Sequence, residues 1–409
     1  MIKIILKYCI IITLIIIIGC SDKEINIYLT NPISIERIDE PVQINLERFG
    51  KLKFDPLKIS VYEGDKEIPF QIDDLDMNNV PDHITFVLNF QPNERKKITI
   101  YNKPSQTNFQ KRTQAELSRK FGYEYKNGKY NGGYFKNIDW IRVPDGHKDH
   151  DALFRYEGPG WESEKVGYRF YLDQRNRIDI FGKKVKDLVL QDIGVHDIEA
   201  KDDSYHNMQW WGMDIFKVGN SIGIGSIAMW SDNKMFTVEK TDSIYCYVES
   251  NGILRSGIKT KYFGWQVGEN RYNLESNFSI FAGSRLTKTD LIVDPVPPNI
   301  CTGLAKAENT EYFWNDKNES QWQYIALYGK QSLAGDDLGI AIIFKKENLI
   351  ERFDDSLNYI VKLKTQNGKL TYYFLAAWQQ EVDGIKNIQE FKNYLEGILL
   401  VLNNPIEIL

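Results

Sequence analysis

The chain is poor in cysteine and histidine, with four and five residues among 409, and it has no surplus of basic charge: 51 Lys and Arg face 56 Asp and Glu, a formal charge of -5. Without a cationic surface the affinity for a phosphate backbone has no source, so no nucleic-acid partner is expected. Long apolar runs are also missing. The most apolar stretch, Cys9 to Ile18, falls short of the roughly 20 residues that a spanning helix needs. No Cys-x-x-Cys or Cys/His-rich run is present, which speaks against a thiolate metal site. Gly223-Ile-Gly225 lacks the third glycine of a dinucleotide site, and phosphate-loop, His-Glu-x-x-His and Gly-x-Ser-x-Gly signatures are absent. With 42% hydrophobic and 26% charged residues the chain is neither a disordered tail nor a collagen-like fibre nor a multi-span membrane protein. The length suggests two or three domains, and 29 glycines with 13% aromatics favour β-rich structure.

Lys3 and Lys7 precede the apolar stretch, which ends in Ile17-Ile18-Gly19-Cys20. This is the layout of a secretory signal peptide, and its last four residues resemble the bacterial lipoprotein box. Residues 1–20 are expected to be a leader, with Cys20 becoming the lipidated first residue; the alternative is an ordinary leader that happens to end in Cys. Ser21-Asp22-Lys23-Glu24 is similar to the tethers of outer-membrane lipoproteins in polysaccharide-degrading bacteria. The expected location is therefore that of a secreted lipoprotein held on the outer membrane, facing the periplasm or the cell surface. Cys246 and Cys301 then remain, free to be thiols or a disulfide, and sequence alone does not choose.

From residue 21 to 104, short alternating runs such as VQINLERF and ITFVLNF are broken by turns, which predicts a small β-sandwich. Within it Asp74, Asp76, Asn78 and Asp82 begin a calcium-loop pattern. Asn79 stands where such a loop needs Gly and Thr85 where it needs Glu, so a solvated hairpin loop is favoured, with a structural calcium as the alternative. Residues 105–121 break the strand rhythm, and Thr113-x-x-Glu116 reads as a capping box, so a helical linker is expected. About a dozen strand-like runs follow over 122–409, implying a large sandwich of two stacked sheets. Ile388, Phe391, Tyr394, Leu395, Ile398, Leu399 and Leu402 fall at helical spacing near the end. The fold class is thus mainly β, with few helices.

Four of the five histidines lie within sixty residues, on stretches dense in Trp, Tyr, Arg and carboxylates. The first stretch, VPDGHKDHDALFRYEGPGWESEKVGYRFYLDQRNRIDIFGK, holds His147 and His150 in a punctuated loop among Asp145, Asp149 and Asp151. Glu157-Gly-Pro-Gly-Trp161-Glu162 reads as a second loop presenting two carboxylates and an indole. Arg155, Arg169, Arg175 and Arg177 offer guanidinium forks suited to a carboxylate or sulfate. The second stretch, from His196 to Trp230, adds Tyr205, His206, Trp210, Trp211 and Asp214. Aromatic faces beside directional hydrogen-bonding groups suit sugars, whose C–H faces are apolar and whose hydroxyls need partners. A strand Trp is more often core than platform, and one of Trp210 and Trp211 must point inward if they lie on a strand. His147 and His150 are spaced to share a metal ion, but no third ligand is defined, and no metal is assigned.

DHDALFRYEGPGWESEKVGYRFYLD, with DIFGK, SYHNMQWWGMD and LYGKQSLAGDDLGIAIIF, resembles the domain of unknown function 4861 family, secreted proteins encoded among polysaccharide-degradation genes. The resemblance implies a supersandwich like that of galactose-mutarotase-like proteins, and action on uronic-acid-containing oligosaccharides; the missing dinucleotide and phosphate-loop signatures separately lead to the expectation of no cofactor. Chemistry then suggests roles. Eliminating a group from C4 of a uronate needs its carboxylate neutralised, a base at C5 and an acid for the departing oxygen. Arg155 or Arg169 is the candidate for the first, His150 or His206 for the second, and Tyr205 or another His for the third. His147, Trp161, Glu162, Arg169, His196, Trp210, Trp211 and Asp214 are the candidate substrate contacts. A glycoside hydrolase using Glu157 and Glu162, and a non-catalytic glycan-binding lipoprotein with Trp161, Trp210 and Trp211 lining a groove, are the alternatives.

Overall fold

The computed structural model of the protein describes residues 24–50, 55–195, 203–315 and 319–409. Cys20 and His196 lie outside the described residues. The fold is mainly β, with a single α-helix among the described residues, Ile388–Asn403.

The first sandwich is closed by alternation. Arg37–Asn45, His83–Phe90 and Gln71–Asp73 form one sheet, and Glu24–Thr30, Arg95–Tyr101, Ser60–Glu63 and Lys66–Glu67 belong to the other. Ile27, Leu29, Ile98 and Ile100 from the second sheet meet Val42, Ile44, Ile84, Phe86 and Phe90 from the first in one core. The chain's last strand, Glu407–Ile408, pairs with Glu24–Thr30, so the C-terminus returns to this unit. The loop from Asp74 to Asp82 is a set of local Asx-type contacts: Asp74 accepts from the backbone of Asn78 and Asn79, and Asp82 from that of Leu75.

The expected helix at 113–121 is a strand. Thr113–Phe121 pairs on one side with Phe154–Ser163 and on the other with Tyr134–Asn137. Ala115 and Leu117 face the core, while the Thr113 hydroxyl bonds Gly252 and Ser256 rather than the backbone of residue 116. A capping box and a strand draw on the same residue types, and the long-range partner decides.

That strand belongs to a six-stranded sheet running Tyr134–Asn137, Thr113–Phe121, Phe154–Ser163, Val166–Phe170, Ile178–Lys183, Gly212–Asp214. A five-stranded sheet, including Ala228–Ser231, Ile300–Ala305 and Asn358–Leu363, is joined to it through the bridges Ile178–Gly223 and Ile224–Leu304. Together they cover one face of a nine-stranded antiparallel sheet that contains Arg255–Val267, Asn270–Phe281, Leu286–Asp294 and Lys369–Trp378. Trp161, Tyr168 and Phe170 from the first, Leu304 and Val361 from the second, and Phe278 and Phe374 from the third share one core. The helix lays Phe391, Leu395 and Leu399 on the opposite face of the nine-stranded sheet, against Tyr324, Ala326 and Ile343. No described helix is long and apolar enough to cross a membrane. Cys246 and Cys301 are separate buried thiols in different sheets, and burial pushes both thiols up, Cys301 to about 12.

Candidate functional site

Strand alternation sets the site. Tyr168 and Phe170 point into the core, so Arg169 between them points out of the sandwich; on the neighbouring strand Ile178 and Ile180 point in and Asp179 points out. Arg169 and Asp179 are direct cross-strand partners. The guanidinium is buried nonetheless, because loops cover this outer face. Its Nε and Nη2 donate to Asp179 Oδ2 at 3.1 and 2.7 Å, Nη2 also donates to Asp214 Oδ2 at 2.6 Å, and Nη1 donates to the Tyr205 hydroxyl at 3.2 Å. The rings of Tyr171, Tyr205 and Phe181 surround it at 4.9–5.3 Å. Burial drives the Asp214 carboxyl well above the usual range, with the neighbouring Asp179 charge adding to the shift.

Glu157 reaches the same guanidinium through an irregularity. The pairing of Phe154–Ser163 with Thr113–Phe121 slips between Phe154 and Pro159, and Glu157 sits in the slip with φ of 71°. Gly158 packs so tightly that a Cβ there would lie 1.9 Å from the Phe170 carbonyl oxygen. Such a bulge re-aims a side chain. Glu157 Oε2 lies 3.4 Å from Arg169 Nη1, and its Oε1 accepts from Arg175 Nη2 at 2.9 Å. Burial pushes this carboxyl up, but the two guanidiniums outweigh it and hold Glu157 at about 2. Arg175 stacks on Tyr171 at 3.9 Å and also pairs with Asp173 and, at 2.7 Å, with Asp149. Asp149 is pushed up to about 6, by burial first and then by the neighbouring Glu157 carboxylate.

Two imidazoles flank this network. His150 Nδ1 is 3.5 Å from Glu157 Oε1, and its side chain is 60% exposed. His206 packs on the Tyr205 ring at 4.8 Å with Nε2 3.5 Å from Asp214 Oδ2, and its side chain is 40% exposed. Burial, then the Arg169 charge, lowers the His206 imidazole below its ordinary value. The chain of contacts therefore runs His150, Glu157, Arg169, Asp214, His206. Each histidine has one foot on a carboxylate and the other groups open toward solvent.

Several expected contacts lie elsewhere. Trp161 is core: the segment read as a loop is strand, and the indole stacks on Phe278 and donates to Thr287 Oγ1 at 2.8 Å. Glu162 is sealed, accepting from Lys183 Nζ at 2.6 Å and from the backbone of Val189 and Leu190, so it forms no open carboxylate pair with Glu157. Arg155 is bound to Glu116 and to the carbonyls of Leu190 and Gln191 and is not free for a substrate carboxylate. Arg169 is close to the histidines but fully engaged, and the Tyr205 hydroxyl is buried between Arg169 and Asp203. His147 turns inward, with Nδ1 2.8 Å from Asp151 and its ring edge-on to Phe154, so it shares no ligand with His150. Trp211 is core against Phe181, whereas Trp210 is 60% exposed.

Sequence reasoning gave no role to Asp149, Tyr171, Asp173, Asp179 or Asp203. Period-2 spacing was the available signal, since Arg169 and Tyr171 share a face and Asp179 lies within an otherwise apolar IDIFG run. Asp149, His150 and Glu157 offer ligand atoms within 4.8 Å of one another, yet the space between the two carboxylates is taken by Arg175. A groove of about 630 Å³ between the small sandwich and the helix is lined by Arg37, Arg285, Trp322, Tyr373 and Tyr394, and it contains none of the histidines.

Comparison with known proteins places the chain in a family. The chain is 23% identical over 305 residues to "Uncharacterized protein P7" of Formosa agariphila, covering 67% of this chain and 74% of that protein. An α-mannosidase from Enterococcus faecalis superposes with a TM-score of 0.50 at 9% identity over 95% of this chain and 46% of its own. A glycosyl hydrolase family 38 protein from the same species gives 0.48 at 9% identity, over 95% and 47%. The chain thus spans less than half the length of these two structures, and the first likeness is one of fold. The family model described as Domain of unknown function (DUF4861) matches residues 29–408, nearly the whole chain, and the protein is a member of that family.

Proposed function

We propose that this protein is a carbohydrate-active enzyme performing β-elimination on uronic-acid-containing oligosaccharides, with His206 as base and His150 as acid. The observation that carries the reading is the pair of partly exposed imidazoles at the two ends of one buried network, His150 on Glu157 and His206 on Asp214, both carboxylates bound to Arg169. Neutral His206 takes the C5 proton, the C–H electron pair becomes the C4=C5 bond, the C4–O bond breaks, and His150 gives a proton to the departing oxygen. Arg175, partly exposed beside His150 although paired with Asp149, Asp173 and Glu157, is the guanidinium that a substrate carboxylate can approach in place of the buried Arg155 and Arg169, and the exposed Trp210 indole offers a face to the sugar ring. The signal pattern ending in Cys20 supports export and attachment to the outer membrane, which metabolic labelling with palmitate would test by comparison with Cys20→Ala.

The test is incubation with a panel of uronate oligosaccharides. Ultraviolet absorbance of the conjugated product is expected, and it should be lost in His206→Gln. New reducing ends without absorbance would replace this reading with hydrolysis.

A further inference from the structure

Four charged side chains are buried on the outer side of the six-stranded sheet and take no part in the chemistry above: Glu116, Arg155, Glu162 and Lys183. Ala115, Leu117 and Trp161 point into the sandwich core, so Glu116 and Glu162 point away from it, where such a sheet can meet water. What covers them is the segment that carries His206. It leaves the ladder after Lys183 and re-enters it at Gly212, the cross-strand partner of Lys183. Its described parts are 184–195 and 203–211.

A buried ion pair gains little net stability over apolar side chains of the same size, so its directed bonds matter more than its charge. Here Glu162 and Arg155 both aim at one turn, Leu190–Asp192. Glu162 Oε1 accepts from the amides of Val189 and Leu190 at 2.7 and 2.8 Å, while its Oε2 accepts from Lys183 Nζ at 2.6 Å. From the other side Arg155 donates to the carbonyls of Leu190 and Gln191 at 2.9 and 3.0 Å, and also to Glu116, which accepts from the Tyr156 hydroxyl as well. A carboxylate thus holds the turn by its N–H groups and a guanidinium by its C=O groups.

The held turn is the bed of His206. Val189, Leu190 and Ile193 share a cluster with Tyr205, Phe181 and Trp211. Gly194, at φ of 70°, packs so closely that a Cβ there would stand 2.9 Å from the Arg155 carbonyl oxygen and 3.5 Å from Tyr205 Cε1. The Tyr205 hydroxyl accepts from Arg169 and donates to Asp203 at 2.7 Å, and the Asp203 carbonyl accepts from the His206 amide at 3.1 Å. The imidazole lies on the Tyr205 ring with Asp214 at 3.5 Å, and Arg169, Asp203, Glu157 and Asp179 are the further charges around it.

We propose that Glu162 and Arg155 are positioning residues: buried away from any substrate, they fix the turn at 189–191 and so hold Tyr205, and through it the His206 ring, in place beside Asp214. The catalytic consequence rests on the proposed function; the placement of the ring does not.

The test removes the hold without stranding a charge. E162L/K183M replaces one pair by apolar side chains of similar volume, a change that folds tolerate when both partners go together. E162Q/K183M differs from it only in giving back an acceptor for the two amides, and R155M/E116Q attacks the carbonyl side. Imidazole NMR, with the His206 signal assigned by its loss in His206→Gln, follows ring titration, and amide hydrogen exchange follows the segment. E162L/K183M and R155M/E116Q should each raise the His206 midpoint toward the ordinary 6.5 without moving that of His150. Exchange at 189–191 and 203–206 should speed up roughly tenfold while Val166–Phe170 stays protected. For elimination, kcat should fall roughly 10²-fold as the base is displaced, and E162Q/K183M should recover most of each effect.

Unmoved titration and exchange in both E162L/K183M and R155M/E116Q would overturn the proposal. So would global unfolding of both, which would make these charges supports of the sheet and not of the loop. If the ring shifts as expected but even the unaltered protein eliminates no uronate, the positioning stands and the catalytic reading falls. If elimination needs His206 yet is indifferent to Glu162 and Arg155, the reading stands and the positioning falls.

Discussion

A single nitrogen of Arg169, Nη2, lies 2.7 Å from Asp179 and 2.6 Å from Asp214 and so joins a strand partner to a residue 45 positions along the chain. Removing that guanidinium leaves Asp179, Asp214 and Glu157 facing one another in a buried space. Arg169→Met is expected to cost about 3–5 kcal/mol of stability. Orphaned carboxyls hold protons more tightly folded than unfolded, so the folded state binds more protons and stability falls as pH rises. Urea unfolding at pH 5 and pH 8 checks this: the loss should be smaller at pH 5, and equal losses would contradict it.

His206 acts as a base only when neutral. Burial and Arg169 lower its imidazole below the ordinary 6.5, so the rising limb of kcat/KM for elimination should have its midpoint under 6.5, and a falling limb at higher pH should report loss of the proton that the acid delivers. His206→Gln should lower kcat roughly 10²–10⁴-fold with little change in thermal midpoint, because the ring is partly exposed. A rate profile whose rising limb lies well above 6.5 would assign the base elsewhere.

Alternation and helical spacing make the small sandwich, the stacked sheets and the C-terminal helix legible in the sequence. Ile27 and Leu29, or Phe391 and Leu395, need no partner to declare their face. The site is only half legible. His150 and His206 stand out as a cluster, but Asp179 hides in an apolar run and gains meaning only from its register with Arg169. Trp161 and Glu162 follow Gly-Pro-Gly, chemistry that usually marks a loop; here it marks a bulge inside a strand, and the bulge exposes Glu157 to the network while turning its neighbours into the core. Thr113 and Glu116 fail as a capping box for a related reason, because Glu116 serves Arg155 and Tyr156 across the sheet.

Asp149 gives a prediction of opposite sign to the Arg169 one. Its carboxyl is raised from 3.8 to about 6, so its contribution to stability is fully present below the unfolded value and is lost as pH rises through about 6. Asn at this position keeps a neutral group at every pH. After allowance for solvent screening at a side chain 39% exposed, Asp149→Asn should stabilise by about 1 kcal/mol at pH 8 and by nothing at pH 4. Thermal midpoints at the two pH values decide it, and a destabilised variant at pH 8 would mean that the pairing with Arg175 outweighs the crowding with Glu157.

Trp161 and Trp210 separate packing from recognition. Trp161 is fully buried, stacked on Phe278 and bonded to Thr287, so Trp161→Ala should cost about 3–5 kcal/mol while the folded fraction keeps its affinity for oligosaccharide. Trp210 is exposed four residues after His206, and Trp210→Ala should leave stability within about 0.5 kcal/mol. If its indole meets the sugar, KM rises severalfold as kcat holds, because a stacking contact made equally in the ground and transition states changes binding alone. Unchanged kinetics in Trp210→Ala would remove the indole from the substrate path and leave sugar contacts to the histidines and Arg175.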